Sequence, residues 1–216
     1  MKKPFDINRG YEILFREWGP QHWWPGEGQV EIVVGALLAQ STNWRNAAKA
    51  VEHLKQAGLL EDSKESFGRL VRIPADELEG LIKPSGYFRQ KAARLKRLTG
   101  FLAQTSGTPP WAIPETETLD WREKLLQING LGPETVDSIL LYGFGLPCFV
   151  VDAYTLRILV RHGMCSGKTT YEDIRSMFER ELPERSEVYN EYHALIVRLG
   201  KEHCRSNPRC SGCPLA

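Results

Sequence analysis

Asp152 ends the apolar run Phe149-Val150-Val151 and stands ahead of a helix-patterned stretch, Thr155 to His162. An acid at that point serves as an N-cap, accepting hydrogen bonds from the first free N–H groups of the helix. A carboxylate held there can also stabilise positive charge that develops on a reacting partner. Upstream, Asn129-Gly130-Leu131-Gly132 brackets one aliphatic residue with two glycines, which lets the backbone turn tightly and approach a partner closely. Pro133 suits the first position of a following helix. The free N–H groups of such a turn and helix start form a place for one phosphate, with Leu131 as the buried peg between the flanking helices. Cys204, Cys210 and Cys213 crowd the last 13 residues and are metal-ligand candidates. Trp23 and Trp24 adjoin in a loop marked by Gly19, Pro20, Pro25 and Gly26; such a pair can lid a core or face a planar ligand.

Charge distribution says more than total charge. With 28 basic and 27 acidic residues, bulk electrostatics do not announce a nucleic-acid partner. Between Lys83 and Arg97, however, stand Lys83, Arg89, Lys91, Arg94, Lys96 and Arg97 with no acid among them. Such a run is either a solvated helix face or a stripe for phosphates, and beside the glycine hairpin the second is the expectation. Met1 to Asp6 lacks the apolar run of a signal peptide, and the longest apolar run, Ile32 to Ala39, is too short to span a bilayer. A soluble, cytoplasmic protein with no membrane partner is expected. Five cysteines, an odd number, argue against a disulfide framework; Cys148 and Cys165 read as core or neutral positions.

The elements that must position these residues are helices. Apolar spacing predicts helices over 7–18, 30–38, 44–57, 65–71, 76–82, 89–104, from 119, and over 155–162, 171–181 and 187–201. Asn43 or Thr42 is the expected cap of the third. Pro84 to Phe88 reads as a turn before the basic helix, and Thr105 to Pro110 as a linker. No stretch alternates with period two for long, so the fold class is all-α.

Taken together, these motifs resemble the helix-hairpin-helix (HhH-GPD) DNA glycosylases of the endonuclease III superfamily. Their pattern LxGxGxxTA…VD corresponds here to Ile128 to Val136 followed by Val151-Asp152, and the likeness spans nearly the whole chain. It implies a two-lobed helical bundle with DNA bound in a cleft between the lobes. A barrel would cover 28–146, and a second lobe 1–27 plus 147–216. It implies Asp152 as the catalytic carboxylate, and contact with DNA through Gly130, Leu131, Gly132, Gln40 and Lys91. Gln40 comes from an LLxxQxT-like stretch, where the glutamine fills the space left by an extruded base; Lys91 comes from the GxxxxKA element at 86–92. Bifunctional members carry a sugar-attacking lysine two residues after the hairpin's last glycine. Here Glu134 stands there, which cannot form a Schiff base.

Within the superfamily, the Trp-Trp-Pro loop and the aromatic after the QxT turn match the 3-methyladenine branch. The implied base pocket is Trp23, Trp24, Pro25, Trp44 and Glu134. The implied activity is monofunctional excision of an alkylated purine from double-stranded DNA by a monomeric enzyme. Tryptophan suits such a base because alkylation leaves it cationic. A glycosylase for mispaired thymine or uracil or for oxidised bases, or a non-catalytic DNA-binding protein, are the alternatives. The cysteine tail resembles the family's iron–sulfur loop, which implies a [4Fe-4S] cluster on Cys204, Cys210 and Cys213. The first gap is one residue short of the usual pattern, and a fourth cysteine is not in the sequence given. His203 would complete a Cys3His zinc site on ligand type, and a relic loop without metal is the third option.

Overall fold

A computed structural model describes residues 4–105 and 113–216, with the backbone alone for Lys64. Beyond Thr105, the expected linker lies outside the described residues. Among the described residues the regular structure is helical throughout and contains no strand. None of the helices is long and apolar enough to cross a membrane. The chain divides into two compact units, one made of Pro25–Leu146 and the other of Met1–Trp24 with Pro147–Ala216.

The continuous unit contains α2 (Gln29–Leu38), α3 (Trp44–Gln56), α4 (Lys64–Arg72), α5 (Ala75–Ile82), α6 (Phe88–Gln104), α7 (Thr118–Leu126) and α8 (Pro133–Ser138). Its centre is α2, whose Val30, Val33, Val34, Leu37 and Leu38 are fully buried. A helix that is apolar on all sides belongs in the middle of a bundle, and α2 packs on α3, α6 and α8. Asn43 is the cap of α3, its side chain accepting from the N–H of Asn46 at 3.1 Å. Beyond α8 the chain widens into a π-helical turn, Ile139–Gly143, buried at every residue and packed on α2. The sequence pattern did not predict that turn. Gly143 is required there, since a Cβ on it would lie 2.9 Å from a Val33 methyl.

The split unit contains α1 (Ile7–Trp18), α9 (Ala153–Arg161), α10 (Tyr171–Glu181) and α11 (Ser186–Glu202). Asp6 caps α1 through the N–H of Arg9 at 2.8 Å. The core is aromatic: Phe149 stacks on Phe178 with centroids 4.1 Å apart, and Tyr189 and Tyr192 meet Phe149 edge-on. Each of these four rings is about 1 % exposed or less. Such rings contribute large apolar areas plus favourable edge contacts, and they fix α10 and α11 around the strand-like run that leads to Asp152.

Candidate active site

In the continuous unit, the hairpin joins α7 to α8. Gly130 has φ +96°, a conformation closed to most side-chain-bearing residues. The N–H of Leu131 turns inward to the carbonyl of Ile128 at 3.1 Å, and the Leu131 side chain is buried, the peg expected of it. Gly132 caps α8, with Pro133 in its first turn. The first N–H groups of a helix have no intrahelical acceptor and are available to an anion. Behind the hairpin, Arg122 of α7 grips Asp137 of α8 in a two-pronged ion pair of 2.6 and 3.1 Å. Both side chains are buried, so the pair fixes how the two helices cross.

Gln40 is tied to this hairpin. Its Nε2 donates to the Gly130 carbonyl at 3.1 Å and to Thr135 Oγ1 at 2.9 Å. Its Oε1 accepts from Arg94 Nη1 at 2.8 Å. Arg97 donates to the Asn129 carbonyl at 3.2 Å. Lys91, one turn before Arg94, requires a correction. It is about 1 % exposed, and its ammonium donates to the carbonyls of Leu38 at 2.8 Å and Ser85 at 2.7 Å. Lys91 is therefore a buried strut between two loops, with no face left for a phosphate. Burial, together with the charge of Arg94, pushes its pKa down to about 8.

The rest of the basic run differs from Lys91, since Lys83, Arg89 and Arg97 are exposed. Lys96 donates to the carbonyls of Val71 and Ile73, and Arg89 approaches Glu79 at 3.7 Å. Backbone carbonyls take Lys91 and Lys96 and one donor of Arg97. Tyr87, just ahead of α6, was passed over in the sequence. It is 68 % exposed with φ +45°, and the signal was an aromatic residue directly after Gly86 in a turn. Trp44, the first residue of α3, is half-buried, whereas Pro25 and Glu134 are exposed.

In the split unit, Asp152 caps α9 in a capping box. Oδ1 accepts from the N–H and the hydroxyl of Thr155 at 2.8 and 2.9 Å. Oδ2 lies 3.7 Å from His193 Nε2, with the Asp152 side chain 13 % exposed. The carboxylate thus has divided oxygens: one is fixed by the helix, and the other is turned to the imidazole. His193 sits in α11 and is buried. Burial holds its pKa below the usual value, the Asp152 carboxylate opposes that shift, and Lys201 adds to it. Lys201 Nζ also lies 5.6 Å from the centre of the Trp23 ring. Trp23 meets Trp24 edge-on at 5.7 Å. The structure therefore sets His193 beside Asp152, and sets Trp24 and Lys201 beside Trp23.

A family profile, the HhH-GPD superfamily base excision DNA repair protein, matches residues 34–184. The chain belongs to this superfamily. It is 44 % identical over 210 residues, 97 % of this chain and 93 % of the relative, to a Methanocaldococcus jannaschii protein assigned to DNA repair as a glycosylase. Two solved structures share the fold. One is the Helicobacter pylori 3-methyladenine DNA glycosylase bound to 1,N6-ethenoadenine, with TM-score 0.75, 24 % identity, and 92 % of this chain and 98 % of that one covered. The other is an endonuclease III trapped as a covalent intermediate with DNA, with TM-score 0.78, 21 % identity, and 97 % and 92 % covered. As an HhH-GPD protein, the chain is a DNA glycosylase of base excision repair.

Endonuclease III relatives imply an iron–sulfur cluster, and the HhH-GPD tail can be tested for it. Cys204, Cys210 and Cys213 border one hollow together with Arg161 and His203. Cys204 Sγ accepts from Arg161 Nη1 at 3.2 Å, and the Cys204 carbonyl from Arg157 at 2.7 Å. A cubane takes four ligands. Among the described residues no group of three or more His, Cys, Asp or Glu is disposed to hold a metal ion. His203 belongs to no such group; its Nδ1 pairs with the Arg209 carbonyl at 3.2 Å and its ring stacks on Trp18. Three thiolates around one hollow do not make up the four ligands of either group, and two arginines of α9 hold the loop at Cys204.

Proposed function

We propose that this glycosylase excises a purine alkylated on a ring nitrogen, by hydrolysis and without cleaving the strand. The observation that carries the reading is the divided carboxylate of Asp152. Oδ1 is engaged by Thr155, which fixes the group, while Oδ2 remains for charge stabilisation. An alkylated purine is already cationic. When the C1′–N bond breaks, its electron pair neutralises the base, so the leaving group needs no proton. The positive charge passes to the sugar as an oxocarbenium ion, which Oδ2 stabilises. Water adds at C1′ and gives up its proton to the carboxylate or to solvent, leaving an abasic site.

Glu134 supports the absence of lyase chemistry, since it stands where the bifunctional relatives carry an amine. Trp23 supports a cationic base, because the face of an indole attracts positive charge. Trp24 is the further lining residue this reading assigns. The target nucleotide must leave the stack to be read in such a pocket.

The test is to incubate the protein with duplexes carrying 3-methyladenine, 1,N6-ethenoadenine, a T·G mispair or an oxidised pyrimidine. Free base and strand breaks are then measured, with borohydride present in a parallel set. Release of alkylated purine from an unbroken strand is expected. Release from the mispair or the oxidised base alone, or a borohydride-trapped adduct with strand cleavage, would overturn the proposal.

A further inference from the structure

The row of cations on α6 has a purpose that charge counting alone does not suggest. Lys91, Arg94 and Arg97 recur every three residues on one helix, and each donates into a different loop. Lys91 holds the end of α2 and the turn at Ser85. Arg94 holds Gln40, and Arg97 holds the hairpin carbonyl of Asn129. Arg94 is the central member. Its side chain also lies across Gly130 so closely that a Cβ there would meet Nε at 2.5 Å and Cδ at 2.7 Å. The Gln40 carboxamide then closes the circuit, with its oxygen on Arg94 and its nitrogen on Gly130 and Thr135.

We propose that Arg94 is a positioning residue that locks the Gln40 loop and the phosphate-binding hairpin into one pre-set DNA-engaging surface. A carboxamide can rotate by half a turn and exchange its donor and acceptor ends. The guanidinium has only donors, so Arg94 selects the orientation that presents oxygen to itself and nitrogen to the hairpin carbonyl. Two loops 90 residues apart in sequence are thereby fixed to each other before DNA arrives, which removes an ordering cost from binding. The sequence signal for this role is the 91/94/97 spacing. The inference rests on the reading that the chain opens a duplex to reach a base, but not on which base it removes.

The experiment uses the full chain and a duplex in which 2-aminopurine lies opposite a stable abasic analogue. No base is available for excision there, so the result does not depend on lesion choice. Fluorescence of the 2-aminopurine reports its unstacking, and anisotropy reports affinity. Arg94→Met and Gln40→Ala should each weaken binding about tenfold or more, as for loss of a charge-assisted hydrogen bond, and each should diminish the fluorescence change. The double variant should be no worse than the more affected single, because both act through one contact. Arg94→Lys, which keeps a donor toward Gln40, should restore part of the response. Thermal melting of all variants separates positioning from folding: Arg94→Met should melt cooperatively, with the DNA defect persisting well below its midpoint. Additive losses in the double variant, or an Arg94→Met protein with unchanged affinity and fluorescence, would overturn the inference. Failure of the excision assay on alkylated purines alongside a coupled Arg94–Gln40 response would overturn only the substrate reading.

Discussion

At the scale of single residues, the proposed function rests on Asp152. Asp152→Asn keeps an oxygen for the Thr155 N–H and hydroxyl, so the cap of α9 survives, and removes the charge from the Oδ2 side. Base release should fall by about 10²–10³-fold, the usual effect of losing a preorganised electrostatic group, while affinity for an abasic duplex stays within a few-fold. Single-turnover release measured beside a binding titration checks both halves. Equal base release by the variant would reduce Asp152 to a helix cap. Gly130 is the second decisive residue. Gly130→Ala places a Cβ at φ +96° and against Arg94, which should cost about 1–3 kcal/mol. DNA affinity should drop with it, because Arg94 must swing away from Gln40. Denaturant unfolding and anisotropy give the two numbers, and a variant as stable and tight-binding as the parent would contradict the close approach.

At the scale of elements, α6 works as an internal spine. Its buried lysine makes a pH-dependent contribution whose sign can be worked out. The Lys91 pKa falls from 10.5 to about 8 in the folded protein. Below pH 8 the folded and unfolded chains both carry the proton, and the folded chain bears the cost of a buried charge. Between about pH 8 and 10.5 the unfolded chain still binds a proton that the folded one has released, so stability rises with pH across that window. The neutral amine retains two N–H groups, enough for the carbonyls of Leu38 and Ser85. Relative to Lys91→Met, the parent should gain on the order of 1–3 kcal/mol between pH 7.5 and 10.5, read from urea unfolding at each pH. A flat difference across that range would show that the buried amine does not titrate there.

At the scale of the whole molecule, net charge is only +1, and much of the cationic run on α6 is spent on carbonyls. Phosphate binding would then draw on backbone N–H groups at the hairpin, which are dipoles and displace few counterions, and on the few exposed cations of the run, Lys83, Arg89 and Arg97. The slope of log affinity against log salt for an abasic duplex should therefore be shallow, no steeper than about −4, corresponding to about four or fewer neutralised phosphates. Titrations from low to moderate salt measure it directly. A much steeper slope would mean that cations outside this run form an electrostatic face.

The sequence by itself determined what is local. Helix positions followed from apolar spacing. The hairpin followed from two glycines around Leu131, and the head of α9 from Asp152 and Thr155, because periodicity, capping and positive φ depend on neighbours a few residues away. Only the tertiary structure decided what the polar groups face. Lys91 reaches a carbonyl 53 residues back, and Gln40 one 90 residues ahead. His193 comes beside Asp152 from a separate helix. A donor's partner is set by how distant elements pack, and charge along a helix is the same string of letters whether it points to solvent or to a buried carbonyl. That is why Lys91 read as a contact for phosphate and folded as a strut.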